Sequence, residues 1–460
     1  MSDIISSLQA ILDPGGVLTG TDVSGRAGGW AEGPCEALAV VRPRNTQELA
    51  TIIKLCNELN QPVVTQGGKT GLVRGCVAGP EEVAISLERM NAIEEVDTAN
   101  GTLTVEAGVP LQVVQEAAAA AQFYYPVDLG ARGSATIGGT IATNAGGNRV
   151  IRHGMTRQQV LGLEAVLADG TVISSMNKMI KNNAGYDLKQ LFIGSEGTLG
   201  IVTRAVLKLG PALSSEQTAL VASDSFENII ALLQYCQRGL GSHLCAFEVM
   251  WNNYFQLVTQ DGQFQKKAPL DRNYPFYVVI EAMGSHQEKD AETFEQVMSN
   301  ALEEGLICDA VLSKSQTERD ALWAIRDNIE ALSYLAPLFI FDISLPLNHM
   351  GEYLSEIEEK LKQQWPEMRQ LVFGHLGDGN LHVVVTVGSD SPEARRAVED
   401  TLYQALEARG GSISAEHGIG LEKRDYLHHS RSAEEIALMR LLKTTMDPKN
   451  LLNPGKLLQI

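Results

Sequence analysis

Apolar and polar residues in the first half of the chain follow the periods of short helices and strands. Apolar side chains recur at helical spacing over residues 46–60, and short apolar runs predict strands at 39–43 and 62–65. A strand, a turn and a second strand are predicted at 160–167 and 170–173. Several of these runs border segments dense in glycine, so the pattern predicts a mixed α and β domain with glycine-rich connections.

The second half of the chain mixes longer helices with strands. Helical periodicity is present over residues 226–238, 288–304 and 317–334, and residues 276–282 predict a strand. This mixture suggests a ferredoxin-like cap of strands and helices. The apolar run 335–341 is far shorter than the roughly 18 residues that a membrane-spanning helix needs, so we expect no integral membrane segment.

Length and charge narrow the class of protein. A chain of 460 residues has room for two to three domains of about 150 residues each. The 37 basic and 56 acidic residues give a net charge of −19, which argues against nucleic acid and against an anionic membrane surface. Residues 1–12 lack the pattern of a signal peptide, and six dispersed cysteines form no disulfide framework, so we expect a cytoplasmic protein.

Glycine is over-represented, with 43 residues, about 9% of the chain against roughly 7% on average. Neither GxGxxG nor GxxxxGK[ST] occurs, so a Rossmann dinucleotide site and a P-loop are not expected. The glycines cluster beside predicted strands at 66–72, 128–147 and 194–203. Consecutive backbone N–H groups in such loops can cradle a diphosphate, although a tight turn would also require glycine. Three such segments suggest one large ligand.

Two histidines flank a glycine-rich turn in the C-terminal half. His375 and His382 are symmetric about the centre of this turn, so a symmetric hairpin would bring them opposite each other, within reach of one metal ion. Glu416 and His417 belong to a predicted short strand and glycine turn at 412–420. Two histidines and one glutamate form a known catalytic zinc set. Structural histidines, and a helix-capping role for Glu416 and His417, are the alternatives.

Four ordered motifs within residues 39–209 resemble the FAD-binding domain of the vanillyl-alcohol oxidase/PCMH flavoprotein family: QGGKTGL, SATIGGTIATNAGG, RHGMTRQQVLGLEAVLADG and LFIGSEGTLGIVT. In that family the first loop holds the FAD diphosphate, and the later segments contact the ribityl chain and the isoalloxazine ring. Relatives that attach flavin covalently use His or Cys in these loops, and neither stands at those positions here, so noncovalent FAD is implied. The implied FAD contacts are Gly67, Gly68, Lys69, Thr70, Gly71, Leu72, Asp128, Ser134, Thr136, Gly139, Asn144, Ala145, Gly146 and Ile201.

FGHLGDGNLH and ISAEHGIG resemble one branch of that family, the D-2-hydroxyglutarate dehydrogenases and other FAD-linked D-2-hydroxy-acid dehydrogenases. DPKNLLNPGK resembles the family's C-terminal return to the flavin, where Asn453 would approach the ring. The resemblance assigns a divalent metal to His375, His382 and Glu416. The N/N/O ligands favour Zn²⁺, and Mn²⁺ or Co²⁺ would also fit. His417 takes the role of catalytic base.

The implied fold is α+β, with a PCMH-type FAD-binding domain and a ferredoxin-like cap (substrate) domain. The predicted boundaries are 1–212 for the FAD-binding domain, 213–415 for the cap with the metal hairpin, and 416–460 for a segment that returns to the flavin domain. The implied reaction oxidises a D-2-hydroxy acid to the 2-keto acid. Hydride passes to flavin N5 and His417 accepts the hydroxyl proton.

The predicted substrate site departs from the D-2-hydroxyglutarate pattern. WAIR, ending at Arg326, resembles the motif whose arginine binds the substrate carboxylate, with a helix-surface ion pair as the alternative. Ile340, Glu330 and Val384 stand where that subgroup has a lysine, a serine or threonine, and an asparagine. An unpaired buried charge is costly. We therefore expect a neutral substrate side chain, as in D-lactate, D-2-hydroxybutyrate or D-mandelate, with D-2-hydroxyglutarate as the alternative.

Three other functions compete with this one. An oxidase would pass electrons directly to O₂. A noncatalytic flavin subunit of a respiratory complex would be expected to lack the metal ligands and His417, and a metal-dependent hydrolase would leave the glycine segments without a role. Family members pass electrons to acceptors such as an electron-transfer flavoprotein or a quinone and often form dimers, so we expect such an acceptor, a small-molecule 2-hydroxy acid as substrate, and a homodimer.

Overall fold

A computed structural model describes residues 2–30, 32–260 and 266–460, where the chain forms two compact units. The first unit comprises Met1–Gly147, Gly154–Ala212 and Glu416–Ile460, and the second comprises Asn148–His153 and Leu213–Ala415. Met1 and Ala31 of the predicted first domain, and residues 261–265 of the predicted cap, lie outside the described residues.

The α-helices are listed in chain order: α1 Ser2–Ile11, α2 Thr21–Ser24, α3 Thr46–Glu58, α4 Leu111–Ala120, α5 Ile137–Thr143, α6 Val150–His153, α7 Thr156–Gln159, α8 Lys189–Phe192, α9 Phe226–Leu240, α10 Asn252–Thr259, α11 Gln287–Glu303, α12 Gln316–Arg326, α13 Leu347–Gln364, α14 Pro392–Glu407 and α15 Ala433–Met446. Short 3₁₀ helices cover Gly241–His243, Ile329–Leu335, Leu376–Asp378 and Arg424–His429.

The strands are β1 Val17–Leu18, β2 Ala39–Val41, β3 Val63–Gln66, β4 Val83–Ser86, β5 Ile93–Asp97, β6 Thr102–Glu106, β7 Phe123–Tyr124, β8 Val160–Val166, β9 Val172–Ser175, β10 Ile201–Lys208, β11 Gly210–Pro211, β12 Ser215–Ser223, β13 Leu244–Trp251, β14 Phe276–Gly284, β15 Asp309–Leu312, β16 Phe339–Ser344, β17 Arg369–Gly374 and β18 Asn380–Thr386.

The first unit contains two main sheets in its described residues. One has the order β1-β2-β4-β3 and is parallel across β2, β4 and β3. The other is antiparallel and has the order β5-β6-β10-β8-β9. Leu49, Ile53 and Ile85 share one buried cluster with Leu103 and Val105, so α3 and both sheets contribute to a single core. The C-terminal tail joins β3, where Val63 N–H donates to the Leu451 carbonyl at 2.8 Å.

The second unit is built on an antiparallel sheet with the described order β15-β12-β14-β13-β17-β18-β16. One face of this sheet forms a buried cluster with side chains of α10 and α12. Phe255 stacks on Tyr277 and Tyr254 stacks on Phe373, with ring centroids 3.6 and 4.2 Å apart. This aromatic core fixes the position of β13 and β17, which carry residues of the candidate site.

Three predicted elements differ from those observed. The helix predicted over 317–334 ends at Arg326, because Asn328 leaves the helical region with φ −78° and ψ 56° before the 3₁₀ turn Ile329–Leu335. The glycine-rich segment 128–147 contains α5, which begins where the Thr136 side chain accepts from Gly139 N–H. The strand predicted within 412–420 is limited to an isolated bridge between Ser344 and Ser412.

Candidate functional site

The first glycine loop leaves β3 and passes against the second glycine segment in the first unit. A Cβ added at Gly68 would lie 1.8 Å from the Ser134 carbonyl oxygen, and one added at Gly67 would lie 2.5 Å from Thr136 Oγ1. At Gly71 an added Cβ would meet nothing within 4 Å. At Gly67 and Gly68 the backbone of the loop therefore packs so closely on the second segment that only glycine fits. At Gly71, near the end of the loop, the space is open. This geometry fits a cradle for a diphosphate.

Lys69 and Leu72 complete the first loop. Lys69 adopts a left-handed conformation with φ +56°, and its Nζ donates to the Ala27 carbonyl at 2.8 Å. Burial lowers the pKa of Lys69, while Leu72 is exposed. The Lys69 ammonium is therefore held on the protein backbone, and its predicted contact with FAD, like that of Leu72, stays a prediction.

The second segment folds back on itself beside α5. A Cβ at Gly147 would lie 1.9 Å from the Asp128 carbonyl oxygen, and Asp128 and Gly147 form a parallel bridge. Asn144 ends α5 with φ +49°, and its Oδ1 accepts from Arg157 N–H at 2.9 Å. These bonds organise the predicted contacts in this segment. Ala145 and Gly146 are buried, Gly139 is half-buried and Ser134 is exposed.

Asn453 joins the C-terminal tail to two other segments of the first unit. Its Oδ1 accepts from Thr65 N–H at 2.8 Å, and its Nδ2 donates to the Glu196 carbonyl at 2.6 Å. Asn453 is 4% exposed, so both backbone groups would lose their partner if the amide were removed. Ile201, the first residue of β10, is also buried. The structure gives Asn453 a bracing role, and its approach to the flavin ring stays a prediction.

Asn453→Ala is expected to lower the free energy of unfolding of the first unit by about 1 to 3 kcal/mol for each backbone group left unpaired. Asn450→Ala is a matched control, because Asn450 has a similar φ of +51° and its Oδ1 has no hydrogen-bond partner among the described residues. Urea unfolding followed by tryptophan fluorescence measures both. Equal losses in the two variants would contradict the bracing role of Asn453.

The histidine hairpin has a different register from the predicted one. His382 lies opposite Phe373, and His375 lies beyond the end of β17, where it precedes the 3₁₀ turn Leu376–Asp378. The prediction of directly opposite histidines is therefore wrong. The reason is that the connection is a 3₁₀ turn closed by Gly379 at φ +85°, rather than a two-residue turn. The rings nevertheless meet, with centroids 5.3 Å apart and one ligand atom of each within 4.8 Å of the other's.

A row of polar side chains crosses the seven-stranded sheet on the face that carries this hairpin. Strand register places these side chains on one face: Thr218, Glu281, Glu248, His382 and Asp342. The three acids are each 1% exposed. Buried carboxylates need partners, and Glu281 accepts from Arg149 Nη2 at 2.8 Å and from Trp323 Nε1 at 2.6 Å. Ser414 Oγ lies 3.4 Å from Asp342 Oδ2, beside His382.

Glu248 links the first histidine to the candidate substrate arginine. Its carboxylate lies 2.9 Å from His375 Nδ1 and accepts from Arg326 Nε at 2.8 Å. Burial alone would raise the pKa of Glu248, but His375 and Arg326 outweigh burial and lower it to about 2. An ionised carboxylate only accepts hydrogen bonds, so His375 Nδ1 carries the hydrogen of this bond.

Arg326 is buried between these groups, and its Nη1 also pairs with the adjacent Asp327 at 3.2 Å, so the ion pair of the alternative prediction is present but does not lie on the surface. It is 5% exposed, its Nη2 lies 3.2 Å from His375 Nε2, and its Cζ lies 5.4 Å from the centroid of the Phe373 ring. The other predicted substrate residues differ in environment. Glu330 is exposed in the 3₁₀ turn, whereas Ile340 and Val384 are register partners in β16 and β18.

Glu248, Glu281 and Glu196 were not predicted from the sequence as site residues. A signal was present for two of them, because each is the single charged residue in an otherwise apolar strand, LCAFEVMW and FYVVIEAMG. An isolated acid in a buried strand needs a cationic or donor partner. Such an acid is therefore a candidate for a structural or functional site.

Glu196 anchors the turn that follows Glu416 and His417 in the first unit. Its two carboxylate oxygens accept from Ile419 N–H at 2.7 Å and from Gly420 N–H at 2.8 Å. Burial raises the pKa of Glu196, and these two hydrogen bonds oppose the rise. Glu416 Oε1 accepts from Gly147 N–H at 3.3 Å, and His417 is half-buried. The turn is thus held on both sides of His417.

Comparison with known proteins identifies the class. Residues 213–457 match the family model "FAD linked oxidases, C-terminal domain", and residues 37–175 match "FAD binding domain". The fold is similar to that of alkyldihydroxyacetonephosphate synthase, with a TM-score of 0.76 at 16% identity over 99% of this chain and 84% of that one. It is also similar to 4-ethylphenol oxidase from Gulosibacter chungangensis, with a TM-score of 0.73 at 16% identity over 99% and 96%. The predicted α+β flavoprotein fold is confirmed.

The relatives found by sequence comparison share more identical residues with the chain than these two solved structures do. The chain is 40% identical to a mitochondrial D-2-hydroxyglutarate dehydrogenase of Bos taurus over 91% of this chain and 76% of the relative. It is also 40% identical to a D-2-hydroxyglutarate dehydrogenase of Xanthomonas citri pv. viticola over 94% and 90%. A Schizosaccharomyces pombe protein, provisionally named a mitochondrial D-lactate dehydrogenase, is 36% identical over 90% and 81%. The chain therefore belongs to the FAD-dependent D-2-hydroxy-acid dehydrogenases of the vanillyl-alcohol oxidase/PCMH family, oxidoreductases that act on a CH–OH group.

None of the helices within residues 2–30, 32–260 and 266–460 combines the length and the apolar character that crossing a membrane requires.

Proposed function

We propose that this protein is an FAD- and divalent-metal-dependent dehydrogenase that oxidises a D-2-hydroxy acid to the 2-keto acid, and that it favours a neutral substrate side chain. The observation that carries the proposal is the group formed in the second unit by the buried His375, Glu248 and Arg326 with the half-buried His382. The experiment that tests it is anaerobic bleaching of the flavin absorbance by D-2-hydroxy acids before and after removal of metal.

The proposed metal ligands are His375, His382 and Glu416. The donor set supports this assignment, because two imidazoles and one carboxylate suit Zn²⁺ and leave a position for substrate, and Mn²⁺ or Co²⁺ would also fit. The hydrogen bond from His375 Nδ1 to Glu248 supports Nε2 as the ligand atom. A divalent cation at these residues supplies charge that lowers the pKa of a bound hydroxyl.

Two residues of the chain would act on the substrate directly. Arg326 would pair with the substrate carboxylate through Nη2, since Nε is bonded to Glu248 and Nη1 to Asp327. His417 would accept the proton from the hydroxyl oxygen as the Cα–H bond breaks. FAD, when bound, accepts the hydride. Glu196 would keep His417 in place by bonding the backbone that follows it.

FAD is the cofactor of this family's FAD binding domain, and we propose that it is noncovalent here. The open space beside Gly71, where an added Cβ would meet nothing within 4 Å, supports FAD, while Gly67 and Gly68 hold the loop on the neighbouring segment. Cys76 follows the first loop, and burial raises the pKa of its thiol. A thiol with a raised pKa is a poor nucleophile, which argues against a cysteinyl link to the flavin.

A neutral substrate side chain is supported by the pair Ile340 and Val384. They face each other one step along the strands from Asp342 and His382, on the same face of the sheet. An apolar pair beside the metal ligands gives a second carboxylate no partner. We expect kcat/KM for D-lactate and D-mandelate to exceed that for D-2-hydroxyglutarate by at least about 10-fold. The reason is that the second carboxylate of D-2-hydroxyglutarate would be buried without a partner, which costs several kcal/mol. Steady-state assays with an artificial dye acceptor measure the ratio.

A matched pair of variants tests the position of this pair. Ile340 is 50% exposed, so Ile340→Lys should fold, and it is expected to raise kcat/KM for D-2-hydroxyglutarate relative to D-lactate. Leu302→Lys, at a position 47% exposed on α11, should leave the ratio unchanged. No change in the ratio for Ile340→Lys would contradict the assignment of Ile340.

D-2-hydroxyglutarate oxidation is the second candidate function, and the names of the bovine and Xanthomonas relatives favour it. A wild-type preference for D-2-hydroxyglutarate over D-lactate and D-mandelate would establish this candidate and reject the neutral preference. For the electron acceptor we propose an electron-transfer flavoprotein or a quinone, in keeping with relatives named as dehydrogenases. The cytoplasmic location and the homodimer stay predictions, since the bovine relative is named as mitochondrial.

A further inference from the structure

Glu248 occupies the only position from which one described carboxylate bonds both His375 and Arg326. Its side chain is 1% exposed in the middle of β13, both of its oxygens lie 2.9 Å from His375 Nδ1, and Oε2 also accepts from Arg326 Nε at 2.8 Å. Apolar strand residues surround it on both sides in sequence. A buried carboxylate at this position would be costly without these two partners.

We propose that Glu248 is a positioning residue that couples metal binding to recognition of the substrate carboxylate. This inference rests on the proposed function, because it takes His375 as a metal ligand and Arg326 as the substrate arginine. Glu248 itself touches neither substrate nor metal in this assignment. It acts through the two side chains that do.

The first part of the proposal concerns the histidine. A metal-binding imidazole whose other nitrogen donates to a carboxylate is fixed in tautomer and orientation, and it becomes a more basic ligand. Phe373 assists, since its ring packs 5.1 Å from His382 and 4.2 Å from Tyr254, between centroids. The His375 ring is therefore held by Glu248 on one edge, and the His382 ring that packs on Phe373 lies 5.3 Å from it, between centroids.

The second part concerns charge. Arg326 Nη2 lies 3.2 Å from His375 Nε2, the nitrogen assigned to the metal. An uncompensated guanidinium so close to a divalent cation would repel it. Glu248 supplies one buried negative charge on the Nε edge of the guanidinium, while the half-exposed Asp327 lies 3.2 Å from Nη1, so that Nη2 is the group proposed for the substrate carboxylate. The same carboxylate thus allows a cationic arginine and a cationic metal to lie near one histidine.

Glu248→Gln tests the proposal, because it keeps shape and removes the charge. The amide carries no charge, and its NH₂ group replaces one of the two carboxylate oxygens that lie 2.9 Å from His375 Nδ1, so the bond to the histidine and the charge beside Arg326 are both weakened. We expect Zn²⁺ affinity, measured by competition with a chromophoric chelator, to fall about 10- to 100-fold. KM for the hydroxy acid should rise, and FAD content should equal that of the wild type.

The matched control is Glu164→Gln in β8. Glu164 is also a buried glutamate with an arginine partner, 3.3 Å from Arg204 Nη1, and it lies in the first unit. Glu164→Gln should keep wild-type Zn²⁺ affinity and KM. If Glu248→Gln also keeps both, while the wild type depends on metal, the positioning role is rejected and the proposed function stands. If the wild type binds no divalent cation, both are rejected.

A measurement on the wild type covers the case in which Glu248→Gln does not fold. Nitrogen NMR of protein labelled at histidine, with and without Zn²⁺, should show His375 with hydrogen on Nδ1, and zinc should perturb its Nε2 resonance. The His375→Gln variant identifies the signal. Hydrogen on Nε2, or zinc on Nδ1, would overturn the proposal, because His375 could then not donate to Glu248.

Discussion

Replacing His417 by alanine is expected to slow anaerobic flavin reduction by about 100- to 10 000-fold, the usual contribution of a general base. The reason is that the hydroxyl proton has to leave oxygen as hydride leaves carbon, and alanine offers no acceptor. FAD should stay bound, because the residues predicted to hold it lie in other segments. Stopped-flow bleaching of the flavin absorbance measures the rate, and the visible spectrum of the protein measures FAD content.

The structure favours His417 for this role because its backbone is well held. Glu196 accepts from Ile419 and Gly420 N–H, and Gly418 has a φ of +82° with an added Cβ only 2.9 Å from Glu196 Oε1. A base has to lie within hydrogen-bond reach of the proton that it takes. A turn fixed by two charge-assisted hydrogen bonds keeps the imidazole from drifting away.

His349→Ala is the control for this substitution. His349 is a half-buried histidine of α13 and is not one of the predicted site residues, so its loss should leave the rate unchanged. Added imidazole should restore part of the activity of His417→Ala, because it can enter the vacated space and accept the proton. Wild-type flavin reduction in His417→Ala would remove His417 from the mechanism.

Removal of the divalent metal is expected to lower the rate of flavin reduction by about 1000-fold or more. A bound divalent cation contributes several kcal/mol to a developing oxyanion, and each 1.4 kcal/mol is a factor of ten. An alcohol ionises only near pH 16 in water, much as water itself does, so a lone imidazole is a weak base for it. Dialysis against a chelator, followed by metal analysis and stopped-flow bleaching, gives the measurement.

Re-addition separates loss of metal from damage to the protein. Zn²⁺, Mn²⁺ or Co²⁺ should restore the rate of the dialysed wild type, because each accepts two imidazoles and a carboxylate. His382→Ala should stay inactive at the same metal concentration, whereas His349→Ala should recover as the wild type does. A metal-free protein that bleaches at the original rate would show that the histidine pair is structural.

Much of the first unit could be predicted from residues that are close in sequence. The spacing of Leu49, Ile52 and Ile53 predicts α3, and Asn45 caps it by accepting from Glu48 N–H at 2.9 Å. At Gly67, Gly68 and Gly147 the neighbouring segment leaves no space for a Cβ. The helix and its cap depend on local sequence, whereas Gly67 and Gly68 pack on Ser134 and Thr136. The flavoprotein fold was predicted correctly because the motifs that carry these glycines resemble those of the family.

The arrangement of side chains at the candidate site depended on the tertiary structure. His375 and His382 were predicted to be opposite each other, but the register set by β16, β17 and β18 places Phe373 opposite His382. Helical periodicity also continued past Arg326, where the chain leaves the α-helix. In the first case the pairing with neighbouring strands determined the register. In the second case the chain formed a turn that apolar periodicity does not predict.

The sequence alone determined the flavoprotein fold, the glycine segments, and the residue types from which a metal site could be built. The tertiary structure decided which acid supports which site residue. Glu248 meets a histidine 127 positions away, and Glu196 meets a turn 223 positions away. The physical reason is that a buried charge is satisfied by whatever the fold brings beside it. The order of the strands and the path by which the chain returns to the first unit determine which residue lies beside the charge. No local pattern along the sequence contains this information.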